Sequence, residues 1–273
     1  EKYVDVSVTH EQLRKDDRFW EEPPQDRKNY LSDFIFQEYE QFQNKPFFDY
    51  TRTSVTSYKR LFFKQDEPWG WSLDFSPILF CELAHEGFSP TGMEILVGDD
   101  MVQILLIMHD PVRCILDARD VRVSRQVRKR AGRYSMTVDA DFDAVLLGCV
   151  RQHGEGWLYR GMRWLLRSLF KDGRADDTTK YVGVHTFELW DKDGQLVAGD
   201  LGCVAGCVYT SMTGFREQGT SCAGSTQMVL MAALLHRMGC GWFDLGPPMK
   251  YKEDLGARGI SRLDFMERLQ AIR

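Results

Sequence analysis

Apolar positions along the chain fall into two regimes. Residues 1 to about 48 are polar and strongly charged, Pro23-Pro24 divides them, and only Tyr30–Gln43, with Leu31, Phe34, Phe36, Tyr39 and Phe42, predicts a partly helical segment. This stretch reads as an extension that wraps the surface or meets a partner protein. Between Phe62 and Gly98, Trp, Pro and Gly punctuate the chain too often for long elements. Within that region Ser76-Pro77, followed by Ile78, Leu79, Cys81 and Leu83, predicts a short helix with a Ser cap and Pro in its first turn.

From Met101 the pattern becomes regular. Val102–Met108 and Val112–Leu116 are continuous apolar runs of strand length, and the segment Ser124–Arg130 reads as a helix. Phe142–Val150, led by Asp141 and Asp143, predicts a helix whose acids suit the positive end of its dipole. Trp157–Phe170 predicts another, with Gly173 beyond its end. Two strand-like runs, Thr186–Trp190 and Gln195–Cys203, are joined by the turn Asp191-Lys192-Asp193-Gly194, and Val208–Thr213 adds a third. A Gly-containing loop leads into a helix over Ser225–Met238, then a strand over Trp242–Leu245 that stops at Gly246-Pro247-Pro248, and Ser261 caps a final short helix.

Composition narrows the function classes. The 273 residues are 43% hydrophobic and 27% charged, those of an ordinary globular protein rather than a disordered or fibrous chain. The longest apolar stretches, 104–108 and 228–235, are far shorter than the roughly 20 residues of a membrane-spanning helix, so no membrane association is expected. The first twenty residues carry charges throughout and predict no signal peptide. Seven cysteines, odd in number and without a C-x-x-C pair, point to a reducing compartment, the cytoplasm or an organelle. Six scattered histidines offer no ligand spacing, so no metal is expected, and Cys203 and Cys207 read as buried structural thiols. The net charge of −5 speaks against a nucleic-acid coat, yet Arg119–Arg133 holds seven basic residues and one acid. That local excess within Arg125, Arg128, Lys129 and Arg130 is the candidate for phosphate contact.

Three antiparallel strands, a Gly-containing loop, a helix and a further strand is the order of the GNAT acyltransferase fold. The predicted class is therefore α+β, a largely antiparallel mixed sheet flanked by helices. Its boundaries are expected as an extension over 1–48, a small N-terminal domain over 49–108 and a GNAT-like domain over 109–273. In such folds loop amides at a helix N-terminus hold phosphates. Here the loop reads Arg216-Glu217-Gln218-Gly219-Thr220-Ser221, an approximation to the acyl-CoA motif, which keeps an N-acyltransferase using acyl-CoA as an alternative.

A longer resemblance runs through Asp110-Pro111-Val112-Arg113, Val123–Arg130 and Tyr134–Val138, with Glu67-Pro68-Trp69-Gly70 and Asp74–Pro77 upstream. Downstream it takes in Gly156-Trp157, His185–Trp190, Leu196–Gly202, Asp244, Leu255-Gly256-Ala257 and Ser261–Phe265. Over roughly residues 67 to 269 the chain resembles the bacterial leucyl/phenylalanyl-tRNA–protein transferases. The resemblance implies an enzyme that moves a Leu- or Phe-like aminoacyl group from aminoacyl-tRNA to a protein's N-terminal amine, marking that protein for degradation, without coenzyme A or any other cofactor. Such an ester is already activated, so the enzyme must chiefly position the amine and stabilise an oxyanion.

By that resemblance Asp244 is the catalytic residue, which orients or deprotonates the attacking amine. Tyr209, Met212 and Met231 line the side-chain pocket, and Thr91 occupies the position of a pocket tryptophan. Arg125, Arg128, Lys129 and Arg130 meet the tRNA acceptor stem, with Lys250, Tyr251 and Lys252 as further contacts. Three positions depart from the family: Gly246 where it has Gln, Met212 where it has a Glu that holds a basic acceptor residue, and Thr91 itself. These departures keep open a retired homologue serving as an RNA-binding or structural subunit.

Overall fold

The computed structural model describes residues 9, 15, 17, 20–65, 67–172, 182–220 and 222–272. Most of residues 1–19, together with Gly173 and Ser221, therefore lie outside the described residues. The chain divides into two compact units, one from residues 11–109 and 155–180, the other from 1–10, 110–154 and 181–273. This cuts the chain differently from the expected 1–48, 49–108 and 109–273.

The first unit is built on a four-stranded sheet in the order β1 (Phe47–Phe48), β2 (Trp69–Ser72), β4 (Asp100–Met108), β3 (Ser89–Val97). The nine residues of β3 fall where only short pieces were expected. Pro90, which cannot donate to a ladder, is tolerated because β3 is an edge strand. Helices α1 (Gln25–Glu38) and α2 (Glu40–Gln43) form no surface arm: Leu31, Ile35 and Phe42 pack with Trp71, Ile95, Val102 and Ile104 into one core. The break between them at Tyr39, in extended conformation, is what blurs the helical period in the sequence. Helices α3 (Val55–Gln65) and α4 (Pro77–His85) also belong here, and Ser76 caps α4 by accepting from the Leu79 amide, as expected. The helix α7 (Arg160–Asp172) joins this unit because Gly92 has no side chain; a Cβ there would meet the Trp157 carbonyl at 2.4 Å.

The second unit carries a seven-stranded sheet in the order β11-β5-β10-β9-β8-β7-β6: Arg258–Ser261, Val112–Asp117, Trp242–Asp244, Val208–Arg216, Leu196–Ala205, Val182–Trp190 and Ser135–Val138. The meander β7-β8-β9 is antiparallel and β10 runs parallel to β9. This is the strand-helix-strand order expected of the GNAT type, with the intervening helix α8 (Ala223–Arg237) burying Ala223, Thr226, Gln227, Met231, Ala232 and Leu235. Its stripe forms a core with Cys114, Leu116, Phe187, Tyr209 and Phe243. Helix α6 (Phe142–His153), capped by Asp141, packs so closely that a Cβ at Gly148 would meet the Phe215 ring at 2.5 Å. Short helices α5 (Arg125–Arg130), α9 (Lys250–Asp254) and α10 (Arg262–Gln270) complete the unit, and Ser124 and Ser261 cap α5 and α10.

Candidate active site

The parallel pair β9 and β10 holds together for only two register pairs, Tyr209 with Phe243 and Thr210 with Asp244. Beyond Asp244 the chain follows β5 instead: the Leu245 amide donates to the Cys114 carbonyl, and the Cys114 amide to Gly246. Gly246 then turns with φ +69°, a conformation that favours glycine, before Pro247-Pro248. At the same level β9 changes register against β8, since Gly202 faces Ser211 but Leu201 faces Thr213. Met212 is the extra residue of this bulge, a device that bends a strand and re-aims its side chains. The two strands therefore part at Thr210–Met212.

Asp244 lies at the start of this opening but is fully buried rather than projecting into a cleft. Its Oδ1 accepts from Arg113 Nε at 3.2 Å and from the Gly246 amide at 2.9 Å. Its Oδ2 accepts from Arg113 Nη2 and, at 3.2 Å, from the Thr210 hydroxyl. Arg113, 1% exposed, lies over the Phe265 ring at 4.8 Å. Burial acts against the guanidinium's charge, but the adjoining Asp244 carboxylate outweighs it and holds the Arg113 pKa above its ordinary value. Two-pronged pairing of this kind fixes orientation as well as charge. Arg113 was not singled out from the sequence as a partner, although an arginine within the apolar run Val112–Leu116 signals a buried acid somewhere else in the chain.

A second buried acid was missed. Asp200 on β8 accepts from the Tyr209 hydroxyl at 2.6 Å and from the Ser211 hydroxyl at 2.7 Å. Burial pushes its pKa up to about 7, against the lowering effect of both hydroxyls and of Lys252. The register puts Asp200 beside Phe187, and Tyr209 stands edge-on to that ring at 5.0 Å, on the side of the sheet that packs on α8. An acid inside a glycine-rich strand (Gly199-Asp200-Leu201-Gly202) was the only signal in the sequence.

The remaining expected residues divide between the units. Tyr209 and Met231 are fully buried in the α8 core, whereas Met212 is half-buried at the bulge. Thr91 belongs to the other unit, half-buried on β3 opposite Leu106. Arg125, Arg128 and Lys129 are exposed on α5, anchored by buried Val127. The half-buried Arg130 reaches Cys222 Sγ at 3.7 Å, and Cys222 donates to Gln126, which ties α5 to the N-cap of α8. Lys250 and Tyr251 are exposed, but Lys252 is buried and donates to the Leu245 and Pro247 carbonyls of the turn after β10. Burial lowers the Lys252 pKa. Cys203 is buried as expected, while Cys207 is exposed, since it sits in the tight turn from β8 to β9.

A meander, a helix and a parallel strand that parts from its neighbour at a bulge define an acyltransferase of the GNAT type. Within that class the family model described as leucyl/phenylalanyl-tRNA protein transferase matches residues 115–270, and the chain belongs to this family. It is 32% identical over 172 residues to the leucyl/phenylalanyl-tRNA–protein transferase of Alkalilimnicola ehrlichii, an alignment covering 61% of this chain and 62% of that protein. It is also 32% identical over 175 residues to the enzyme of that name from Ectopseudomonas mendocina, covering 61% and 70%. The chain thus spans just under two thirds of the first relative's length. Among solved structures FemX aligns with a TM-score of 0.41 and 12% identity over 76% of this chain and 73% of its own. No helix among the described residues is long and apolar enough to cross a membrane.

Proposed function

We propose that the protein transfers an aminoacyl group from aminoacyl-tRNA to the N-terminal amine of an acceptor protein. The reading is carried by one observation: the opening between β9 and β10 at Thr210–Met212 lies inside the segment that matches the transferase family. In the reaction the amine nitrogen attacks the ester carbonyl, the new C–N bond forms, and the C–O bond to the terminal ribose breaks. The amine's proton leaves with the ribose oxygen, so no cofactor is required. Asp244 acts in this scheme as a positioning residue, because its carboxylate is engaged by Arg113, Thr210 and Gly246 and orients the strand ends that border the reacting ester.

The tRNA arm binds the exposed Arg125, Arg128 and Lys129 through its phosphates, with Arg130 beside the start of α8. Contacts of that kind supply affinity without reading sequence. The product is an N-terminally extended protein marked for degradation, and the protein works in the cytoplasm or an organelle. Incubation with a mixed pool of charged tRNAs and peptides differing at the first residue, followed by mass spectrometry, tests the scheme. Addition of one residue mass, abolished in Asp244→Asn, supports it. No addition, alongside salt-dependent tRNA binding, overturns it in favour of an RNA-binding descendant.

A further inference from the structure

Asp200 is 4% exposed, and its only polar partners are neutral hydroxyls. Among the described residues no lysine, arginine or histidine stands within ion-pairing distance of it, unlike Asp244, Asp117 and Asp17, each of which has an arginine. Buried acids are ordinarily paired, so a lone one marks a group kept for something that arrives later. A Cβ at Gly214 would stand 3.1 Å from Asp200 Oδ2, and the missing side chain keeps that flank of the carboxylate clear. Ser211, which donates to the same oxygen, is only half-buried and connects it to the point where β9 and β10 part. On the buried stripe of α8, which packs on this side of the sheet, the Thr226 hydroxyl has no hydrogen-bond partner. A buried hydroxyl left open in this way fits a polar ligand better than an apolar one.

We propose that Asp200, with Ser211 and Tyr209, receives a basic group of a substrate, a guanidinium or ammonium carried by the transferred amino acid or by the first residue of the acceptor. The inference rests on the transferase reading and adds the chemistry of what is recognised. One carboxylate and two hydroxyls offer too few oxygens for a metal cage, whereas an N–H cation needs only the open lone pairs of the acid. The next residue after Ser211 is Met212, a thioether where the family's carboxylate for a basic acceptor residue is expected. Asp200 supplies a carboxylate one strand away instead. A Leu or Phe side chain in the same position would desolvate the acid further and give nothing in return.

A matrix of single charged tRNAs (Leu, Phe, Lys, Arg) against peptides beginning with Ala, Leu, Lys or Arg tests this, with wild type and Asp200→Asn run in parallel. The expected result is a preference of roughly tenfold or more for the basic member along one axis, lost in Asp200→Asn, which keeps the size of the side chain. Preference along the donor axis assigns the pocket to the aminoacyl side chain, and preference along the peptide axis to the acceptor. No basic preference on either axis, or one that survives the substitution, overturns the proposal. If no peptide is extended at all, the transferase reading fails, and calorimetry decides the inference separately. The probes are 3′-arginylamino- and 3′-leucylamino-deoxyadenosine, and peptides beginning with Arg or Ala. Tighter binding of a basic probe, with release of about half a proton at pH 7 that vanishes in Asp200→Asn, supports the inference; equal binding of basic and neutral probes overturns it.

Discussion

Asp200 makes the stability of its unit depend on pH with a sign opposite to that of most carboxylates. In the unfolded chain its carboxyl titrates near 3.8, and in the fold burial raises it to about 7. Between those values the folded state binds the proton that the unfolded state has lost. The contribution is therefore fully present below about pH 4 and is lost as pH rises through 7. About three pH units at ~1.4 kcal/mol each amount to a loss of order 4 kcal/mol between pH 4 and 8. Asp200→Asn, which cannot ionise, removes this slope while sharing every other titration with wild type. Amide hydrogen exchange of β8 and β9 against pH reads the opening free energy of this unit alone, so that unfolding of the other unit does not enter. The free-energy difference between Asp200→Asn and wild type should shift in favour of the variant by about 4 kcal/mol from pH 4 to pH 8. Parallel pH profiles for the two proteins would refute the assignment of a near-neutral pKa to Asp200 and show that water or an alternative rotamer solvates the carboxylate.

Three further outcomes follow from the geometry. Arg113→Met or Asp244→Asn alone strands a buried charge or its partner and should cost about 3–5 kcal/mol, while the double substitution costs less than the sum, as a denaturant double-mutant cycle would reveal. Asp117 is partly desolvated, which alone would raise its pKa, but Arg268 and Arg258 outweigh this and lower it below 3.8. Its contribution is thus present at neutral pH and lost as pH falls through the lowered value, so Asp117→Asn should flatten the acid limb of a melting-temperature profile below about pH 4. Alanine at Arg125, Arg128 or Lys129 should weaken tRNA binding and reduce the slope of log K against log salt by about one for each phosphate no longer neutralised, whereas an unchanged slope would remove α5 from the interface.

Signals that act between neighbours in sequence carry over directly into the structure. Ser76, Asp141 and Ser261 cap helices where their spacing predicts, and the turn Asp191–Gly194 separates two antiparallel strands. The GNAT-like order of strands, helix and strand was readable for the same reason, since each element announces itself by its own period and its own punctuation. The family resemblance pointed to Asp244, but its surroundings depend on contacts far apart in sequence. Arg113 is 131 residues from the acid it pairs with, and no local pattern encodes that register. Edge position decides that a run containing Pro90 and Gly92 is a nine-residue strand, and burial against Trp71 makes α1 and α2 core rather than surface.

Asp200 illustrates the division most clearly. By itself the sequence determined that an acid stands between glycines on a strand of the meander, and that a basic segment interrupts an acidic chain. Only the tertiary structure decided that this acid lies buried beside Tyr209 and Ser211 without a cation, and that β9 bulges at Met212 where β10 leaves it. The physical reason is that desolvation and strand register are properties of what surrounds a residue in space, whereas caps, turns and periodicity are properties of the few residues on either side of it.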